Sequence, residues 1–355
     1  MTYLCHSIKA LMLPSVVTSK ASLRTSIVEI ARKAGVSTAT VSRAFNRPEL
    51  LRPETRQHVE KIALEHGFRP NLVGRSLRQG ATRTLGVLLP TLNNPAFAEC
   101  FDGACRDAQK LNYSIMVATT DYCTKTELES LHMLLDHQVD GLILTLGGAQ
   151  ESEAIKVLRE EKAMPYILAY STIQGVPSVS IDDQLAGRDL AEYVASFQHK
   201  NIAFLSGPLH TSDRAARRLL GVRQVARRLK LSRFCHYVLP SHTQCEPQLV
   251  KNWLSSNPPT AIICSNDLLA LSLMSQLHAF GIRIPDDIAI CGFDGIVFGA
   301  MYTPQLTTVS QPSSDIGRIA CQKLLAYLKQ HIPLTSTVVP HRIFPGASVG
   351  VHSPH

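Results

Sequence analysis

Apolar residues recur at helical spacing from Ser26 onward, and this pattern predicts a short first helix. Ser26 is followed three residues later by Glu29, a combination in which both side chains cap free backbone N–H groups at a helix start. Gly35 has the conformational freedom to end this helix and turn the chain. The apolar face of the predicted helix consists of Ile27, Ile30, Ala31 and Ala34.

A second predicted helix follows the turn, with Ser37 as its cap and Val36 before it as a hydrophobic staple. Val41 and Phe45 are expected on its buried side. The opposite face is mostly small or polar, so it can approach base-pair edges and still form hydrogen bonds. This face consists of Thr38, Ala39, Ser42, Arg43 and Asn46. The pattern is typical of a helix-turn-helix whose second helix contacts bases, although an ordinary helical hairpin has the same spacing.

A third helix and a linker complete the N-terminal part of the chain. Pro53 suits the first turn of a helix and Gly67 ends it, which closes a helix-turn-helix headpiece over residues 26–70. Residues 71–82 contain a polar helical segment that is too short to be stable alone. Two interpretations stay open: a plain linker, or a hinge that becomes ordered on DNA and inserts Leu77 into a minor-groove base step.

From Thr84 the pattern changes to short apolar runs that alternate with helical segments. Such a βαβ series predicts a parallel sheet covered by helices on both faces. The series occurs twice, so an α/β core of two doubly wound parallel-sheet subdomains is expected, with a ligand cleft at the carboxyl ends of the strands. The expected ranges are 83–345 for the core, about 83–182 and 310–332 for subdomain one, and about 183–309 and 333–345 for subdomain two.

The positive charge of the chain is concentrated in the predicted headpiece and hinge. The net charge is +8, and residues 1–82 contain 13 Lys and Arg against five Glu. Residues 83–355 carry 23 basic and 23 acidic side chains. A local cationic excess of this kind favours binding to phosphate backbones.

The chain lacks the sequence motifs that several other classes of protein require. The nine cysteines form no CxxC pair and no Cys/His run with zinc spacing, so neither a metal nor a cofactor is expected. The chain has no GxGxxG after a strand, no P-loop and no GxSxG elbow. No apolar run approaches the ~20 residues that cross a bilayer. A reduced cytoplasmic protein is expected, with residues 1–25 as a disordered arm; a secretory signal there remains an alternative.

The chain contains the segments EIARKAGVSTATVSRAFN, GFRPNLVGRSLRQGATRTLGVLLP, LNNPAFAE, VDGLIL, AIICSNDLLA, IPDDIAICGFDG and PQLTTVSQP. In their order and spacing, these segments resemble the lactose/galactose repressor family of bacterial transcription regulators from about Ser26 to about Val351. The core alone is similar to periplasmic sugar-binding proteins. The resemblance implies a homodimer that binds double-stranded DNA at a pseudo-palindromic operator and responds to a small-molecule effector: a sugar, a sugar phosphate or a nucleoside.

The resemblance also implies which residues contact DNA. Thr38, Ala39 and Arg43 match positions that contact major-groove bases, and Leu77 matches the hinge leucine that wedges into the operator centre. Gly74 departs from the family pattern, in which Ala is common, and Gly disfavours a helix by about 1 kcal/mol. The other expected residues support the headpiece fold, touch phosphates or belong to the hinge: Ser37, Thr40, Ser42, Asn46, Asn71 and Arg75.

Eight residues match the family's ligand positions in the cleft. Acids, amides and an arginine suit hydroxyl-rich ligands, and Phe97 or Tyr170 can stack on a sugar face. The alternative for each acid or amide is a helix cap or turn residue. Arg214 and Arg217 add charge beside Arg218, which favours either an acidic ligand or, as the preferred interpretation, a solvated helix face. The eight are Asn94, Phe97, Asp121, Tyr170, Asp182, Arg218, Asn266 and Asp294.

The leading hypothesis from these patterns is a ligand-responsive, sequence-specific DNA-binding regulator without enzymatic activity. A repressor of a sugar or nucleoside operon is expected. Two alternatives remain: an enzyme on the same fold, and a periplasmic-type small-molecule binding protein. Catalytic turnover of a sugar would favour the first alternative, and export from the cytoplasm would favour the second.

Replacing Leu77 by Ala is expected to weaken operator binding and to leave effector affinity unchanged, because the side chain acts on a DNA base step and lies outside the cleft. Titrations of DNA and of effector with the same preparation measure both quantities. An equal loss of effector affinity would show that Leu77 is not a hinge residue.

Overall fold

The computed structural model describes residues 25–68, 81–148, 152–161, 164–255 and 258–352. The chain divides into two compact units, residues 1–80 and residues 81–355. Almost all of the predicted arm lies outside the described residues, and so do residues 71–80 of the predicted hinge, which include Asn71, Arg75 and Leu77.

The described part of the first unit consists of three α-helices and a short 3₁₀ turn at Pro48–Leu50. The predicted caps are present: Ser26 accepts a hydrogen bond from the Glu29 N–H, and Gly35 ends the first helix with a φ of 65°. Ala44, rather than Phe45, is fully buried beside Val41. The helices are α1 (Ile27–Ala34), α2 (Thr38–Asn46) and α3 (Pro53–Glu65).

Two six-stranded sheets form the second unit. Their strand orders are β11-β5-β4-β3-β1-β2 and β12-β10-β9-β8-β6-β7, and every pairing is parallel except that of β10 with β12. The predicted α/β fold of two doubly wound parallel sheets is therefore confirmed. The strands are β1 (Thr84–Leu89), β2 (Ser114–Thr119), β3 (Gly141–Leu144), β4 (Tyr166–Ala169), β5 (Ser178–Ser180), β6 (Asn201–Ser206), β7 (Arg233–Val238), β8 (Ala261–Cys264), β9 (Ala289–Asp294), β10 (Thr307–Ser310), β11 (Thr337–Val338) and β12 (Arg342–Phe344).

Helices cover both sheets, and none in the described part of the chain is long and apolar enough to cross a membrane. Most begin directly after a strand, as the βαβ pattern requires. The helices are α4 (Pro95–Lys110), α5 (Thr124–Asp136), α6 (Glu153–Glu160), α7 (Asp183–Ser196), α8 (Asp213–Arg228), α9 (Pro247–Ser255), α10 (Asp267–Ala279), α11 (Val297–Met301) and α12 (Ser313–Gln330).

The main helix pair of each sheet packs with its backbones in close approach. In the α4–α12 pair, a Cβ on Gly317 would collide with the Cys100 carbonyl oxygen. In the α7–α8 pair, a Cβ on Gly221 would collide with the Gln184 carbonyl oxygen. Glycine is needed at these positions because the neighbouring atoms are backbone and cannot rotate away.

The C-terminal part differs from the expected subdomain ranges. Residues 333–345 were expected in subdomain two, but β11 pairs with β5 of the first sheet, so this is wrong for Thr337–Val338. The core also continues beyond residue 345, because Ser348 is fully buried and donates a hydrogen bond to the Ile290 carbonyl oxygen. These contacts join distant segments, which local patterns do not reveal.

Three elements of the second unit were not predicted: β7, α9 and α11. Strand β7 is an edge strand whose residues are only half-buried, so its sequence lacks the continuous apolar run of a central strand. Helix α11 has five residues, which is too short to produce a helical period.

Replacing Gly317 by Ala is expected to lower the free energy of unfolding of the second unit by about 1–3 kcal/mol, because the added methyl group forces α4 and α12 apart. Gly148→Ala is the matched control, since a Cβ there would meet its nearest atom at an ordinary 3.7 Å. Denaturant unfolding measures both variants. Equal stability of the two would contradict backbone contact between these helices.

Candidate functional site

The outer face of α2 presents two kinds of polar residue. Ser37 caps the helix by accepting a hydrogen bond from the Thr40 N–H at 3.1 Å, and the two hydroxyl oxygens lie 2.9 Å apart. Asn46 donates to the Ser42 hydroxyl at 3.2 Å. The remaining residues of the face are exposed: Thr38, Ala39 and Arg43. The first group bonds within the headpiece and the second is exposed, while the DNA contacts that the resemblance implies for both groups stay a prediction.

The second unit contains a cavity at the carboxyl ends of its strands, between the two sheets. Its volume is only about 20 Å³, which is close to the space that one water molecule needs. The cleft is therefore nearly closed. Its walls comprise Asn94, Phe97, Tyr122, Tyr170, Ser212, Arg214, Ala215, Arg218, His242, Ser265, Asn266, Asp294 and Gln311.

Six of the eight expected ligand residues line this cavity: Asn94, Phe97, Tyr170, Arg218, Asn266 and Asp294. The other two do not. Asp121 is exposed just after β2, in a left-handed conformation with a φ of 48°. Asp182 is exposed and caps α7 by accepting a hydrogen bond from the Leu185 N–H at 3.0 Å. For Asp182 the structure thus shows the helix cap that was the alternative to ligand contact.

Arg218 is the centre of a buried ion cluster. Its Nε donates to Asp183 at 2.7 Å, and its Nη1 donates to the Ser265 carbonyl oxygen at 2.7 Å and, more weakly, to Asp294 at 3.5 Å. Burial raises the pKa of Asp183 and of Asp294, and the Arg218 charge opposes that rise. Burial lowers the pKa of Arg218, but the two carboxylates outweigh it and the net change is upward.

A hydrogen bond across the cleft joins the two sheets. Asn94, which caps α4 after β1, donates from its amide to Asp294 at the end of β9 at 3.0 Å. Gln311 donates to the other oxygen of Asp294 at 2.8 Å. All three side chains are buried. Any movement that opens the cleft must break the bond between Asn94 and Asp294.

Asn94, Asn266 and Tyr170 have internal hydrogen bonds, as Arg218 and Asp294 do. Asn94 accepts a bond from the Ala96 N–H at 3.0 Å, and Asn266 accepts one from the Leu269 N–H at 2.9 Å. Both amides therefore cap helices, as the alternative interpretation expected, while also lining the cavity. The Tyr170 hydroxyl donates to the Ala96 carbonyl oxygen at 2.7 Å, and its ring packs edge-on against Phe97.

The cavity wall also contains residues that the sequence did not single out as ligand positions. Arg214 is 5% exposed, so the preferred interpretation of a solvated arginine is wrong at this position. It lies one helical turn before Arg218 on α8, and this i, i+4 spacing was the available signal. The other unforeseen wall residues carry hydroxyl, imidazole or amide groups: Tyr122, Ser212, His242, Ser265 and Gln311.

Tyr122 and His242 stack across the cleft with ring centroids 4.0 Å apart. Tyr122 follows β2 in the first sheet and His242 follows β7 in the second. Burial, with Arg214 and His210 nearby, lowers the pKa of His242 to about 4. His242 also lies within hydrogen-bonding distance of the Thr211 hydroxyl, at 2.8 Å. A neutral imidazole thus forms part of the closed cleft. The described residues contain no group of three or more His, Cys, Asp or Glu side chains that could hold a metal ion.

A helix-turn-helix headpiece with an exposed polar helix face, followed by a two-sheet core with a central cleft, defines the class of ligand-binding DNA regulators. Residues 26–71 match the family model described as bacterial regulatory proteins, lacI family, and residues 191–349 match the periplasmic binding protein-like domain. The chain is 33% identical to catabolite control protein A of Priestia megaterium, over 90% of this chain and 98% of that protein.

Further relatives agree with this match. The ribose operon repressor of Haemophilus influenzae is 31% identical over 85% of this chain and 91% of its own. The crystal structure of the lac repressor dimer bound to operator and the anti-inducer ONPF superimposes with a TM-score of 0.81 at 25% identity, covering 92% of this chain and 99% of that chain. The protein belongs to the lacI family of bacterial regulatory proteins.

Acidification is expected to destabilise the second unit through His242. The imidazole has a pKa of about 4 in the folded chain and 6.5 unperturbed. As the pH falls from 6.5 toward 4, the unfolded chain therefore takes up a proton that the folded chain does not. The free energy of unfolding contributed by this residue is intact above pH 6.5 and falls by up to about 3 kcal/mol across that window.

His242→Asn removes this group, so the variant should lose less stability than the wild type between pH 7 and pH 4.5. Exposed His278→Asn is the control and should behave like the wild type. Denaturant unfolding at the two pH values gives the comparison. An identical loss in the wild type and in His242→Asn would contradict the buried, neutral imidazole.

Proposed function

We propose that the protein is a ligand-responsive transcription repressor that binds operator DNA through α2 and an effector in the cleft of its second unit. The proposal is carried by one observation on the outer face of α2. Thr38, Ala39 and Arg43 are exposed there, while the neighbouring polar residues form hydrogen bonds with one another. Small and hydrogen-bonding side chains on a capped helix are what major-groove recognition requires.

The related proteins support the class of target. They include the ribose operon repressor, the HTH-type transcriptional repressors PurR and CytR, and catabolite control protein A. We infer that this protein controls an operon for sugar or nucleoside metabolism, acts in the cytoplasm and has no enzymatic activity. The structural relative bound to operator is a dimer, and we infer a homodimer on a pseudo-palindromic site here as well.

The mechanism follows from the closed cleft. An effector that binds one arrangement of the two sheets better than the other shifts the population toward it, by an amount set by the difference in affinity. The bond between Asn94 and Asp294 and the stack of Tyr122 on His242 join the two sheets in this structure, and a separation of the sheets at the cleft would break both contacts. DNA binding then changes with effector because the headpieces of a dimer must match two half-sites at a fixed spacing.

A DNA selection tests this proposal. The full-length protein is titrated at defined salt against a randomised DNA pool, and the bound fraction is sequenced. A palindromic consensus with a flexible step at its centre is the expected result. If the bound DNA shows no consensus and the binding is lost at moderate salt, the headpiece binds DNA only through its charge. That result would refute sequence-specific repression.

Arg43→Ala is expected to lose about 1–3 kcal/mol of specific binding and to relax the preference at one base position of each half-site. Arg56→Ala is the matched control, because Arg56 lies on α3 and not on α2, and it pairs there with Glu60. The same selection, repeated with both variants, compares the consensus position by position. An unchanged preference in Arg43→Ala would remove this residue from base recognition.

A further inference from the structure

Arg214 is a cavity residue whose hydrogen-bonding capacity is only partly used within the protein. Its Nη1 donates to the Leu146 carbonyl oxygen, the Ser171 hydroxyl and Asp213, at 3.1, 2.9 and 3.1 Å. Its Nη2 is buried and has no hydrogen-bond partner among the described residues. A buried charged donor without an acceptor is costly, so this atom favours a ligand that supplies one.

The helices around the cavity add positive potential. α4, α8 and α10 all begin at its wall, since their cap residues Asn94, Ser212 and Asn266 line it. The start of an α-helix carries the equivalent of roughly half a positive charge. Arg214 lies in the first turn of α8, so its charge and that of the helix end coincide. An anion placed there is favoured by both.

The acids near the cavity already accept hydrogen bonds from other protein groups, and none of them is the acceptor for Nη2 of Arg214. Asp294 accepts hydrogen bonds from Asn94 and Gln311 and interacts with Arg218. Asp213 bonds to Nη1 of Arg214 and accepts the Thr172 N–H at 3.1 Å. The Nη2 edge of Arg214 remains as the cationic group without an acceptor.

Two further buried polar atoms without partners among the described residues belong to the cavity wall: the Ser265 hydroxyl and the Gln311 carbonyl oxygen. Both are neutral and suit hydroxyl or amide groups of a ligand. The wall thus offers one cationic donor and two neutral hydrogen-bonding atoms, which corresponds to a polar molecule with one charged end.

We propose that the effector carries an anionic group, a phosphate or a carboxylate, that accepts hydrogen bonds from Nη2 of Arg214, while its hydroxyl groups bond to Ser265 and Gln311. This inference rests on the proposed function, in which the cavity is the effector site. Phosphate and carboxylate share the geometry that an arginine recognises, and such charge-assisted bonds are about twice as strong as neutral ones. Arg214 thereby becomes the residue that selects charged over neutral effectors.

A panel of matched compounds tests the inference with the full-length wild-type protein. The sets are D-ribose with ribose 5-phosphate, D-glucose with glucose 6-phosphate and glucuronate, and adenosine with AMP. Isothermal titration should show that, in at least one set, an anionic compound binds tenfold or more tightly than its neutral counterpart. Comparison of glucose 6-phosphate with glucuronate distinguishes phosphate from carboxylate.

Arg214→Gln should then weaken binding of that anion by about tenfold or more and leave any neutral compound unaffected. Arg217→Gln is the matched control, since this neighbouring arginine is half-buried and lies outside the cavity wall. Arg214→Lys retains the charge without the planar donor pair and should retain part of the affinity. If Arg214→Gln does not fold, the inference is tested by the affinity of Arg214→Lys for the anion and by the comparison of anionic with neutral compounds in the wild type.

Three results would overturn the inference: no anion of the panel binds, a neutral compound binds as tightly as its anionic counterpart in every set, or Arg214→Gln binds the anion as well as Arg217→Gln does. The DNA selection reports on the proposed function separately, because it needs no effector. If the selection gives a palindromic consensus and any of these three results is also found, the proposed repressor function stands and only the proposal of an anionic effector is refuted.

Discussion

The buried cluster around Arg218 is the interaction on which the cleft depends. One guanidinium group connects α7 through Asp183, the end of β8 through the Ser265 carbonyl oxygen, and β9 through Asp294. Removing one member of such a cluster leaves an uncompensated buried charge, which typically costs 3–5 kcal/mol. Asp294, held in this way, also accepts the bond from Asn94 across the cleft, so the cluster is linked to one of the contacts that join the two sheets.

The closed cleft makes effector binding an exchange of partners. The cavity has a volume of only about 20 Å³, so protein groups occupy the space that a ligand needs. An effector must separate Tyr122 from His242, or Asn94 from Asp294, and must replace the lost contacts with its own. Its net affinity is therefore the difference between two sets of interactions, and this difference is what shifts the population between arrangements.

The features that could be predicted from the sequence depend on residues close together in the chain. The Ser26 cap, the apolar strands and the polar strand ends belong to this group. The direction of a side chain at a strand end is a different matter, because the next backbone angles decide it: Asp121 turns to solvent with a φ of 48°, and Asp182 caps its own helix. Whether Arg214 is solvated depends on what packs over α8, which involves the first sheet through the Leu146 carbonyl oxygen.

Helix α2 combines a buried side that packs in the headpiece core with an exposed side that we propose contacts DNA. Val41 and Ala44 are buried in the core of the three helices, and the Ser37 hydroxyl caps α2 by accepting a hydrogen bond from the Thr40 N–H, so none of them needs DNA to keep its position. Arg43 and its exposed neighbours contribute little to the fold, and surface substitutions away from caps and core usually change stability by less than about 0.5 kcal/mol. On the proposed function, substitutions on this face can change the operator sequence that the protein recognises without unfolding the headpiece. The second unit then keeps its cleft and its response to effector.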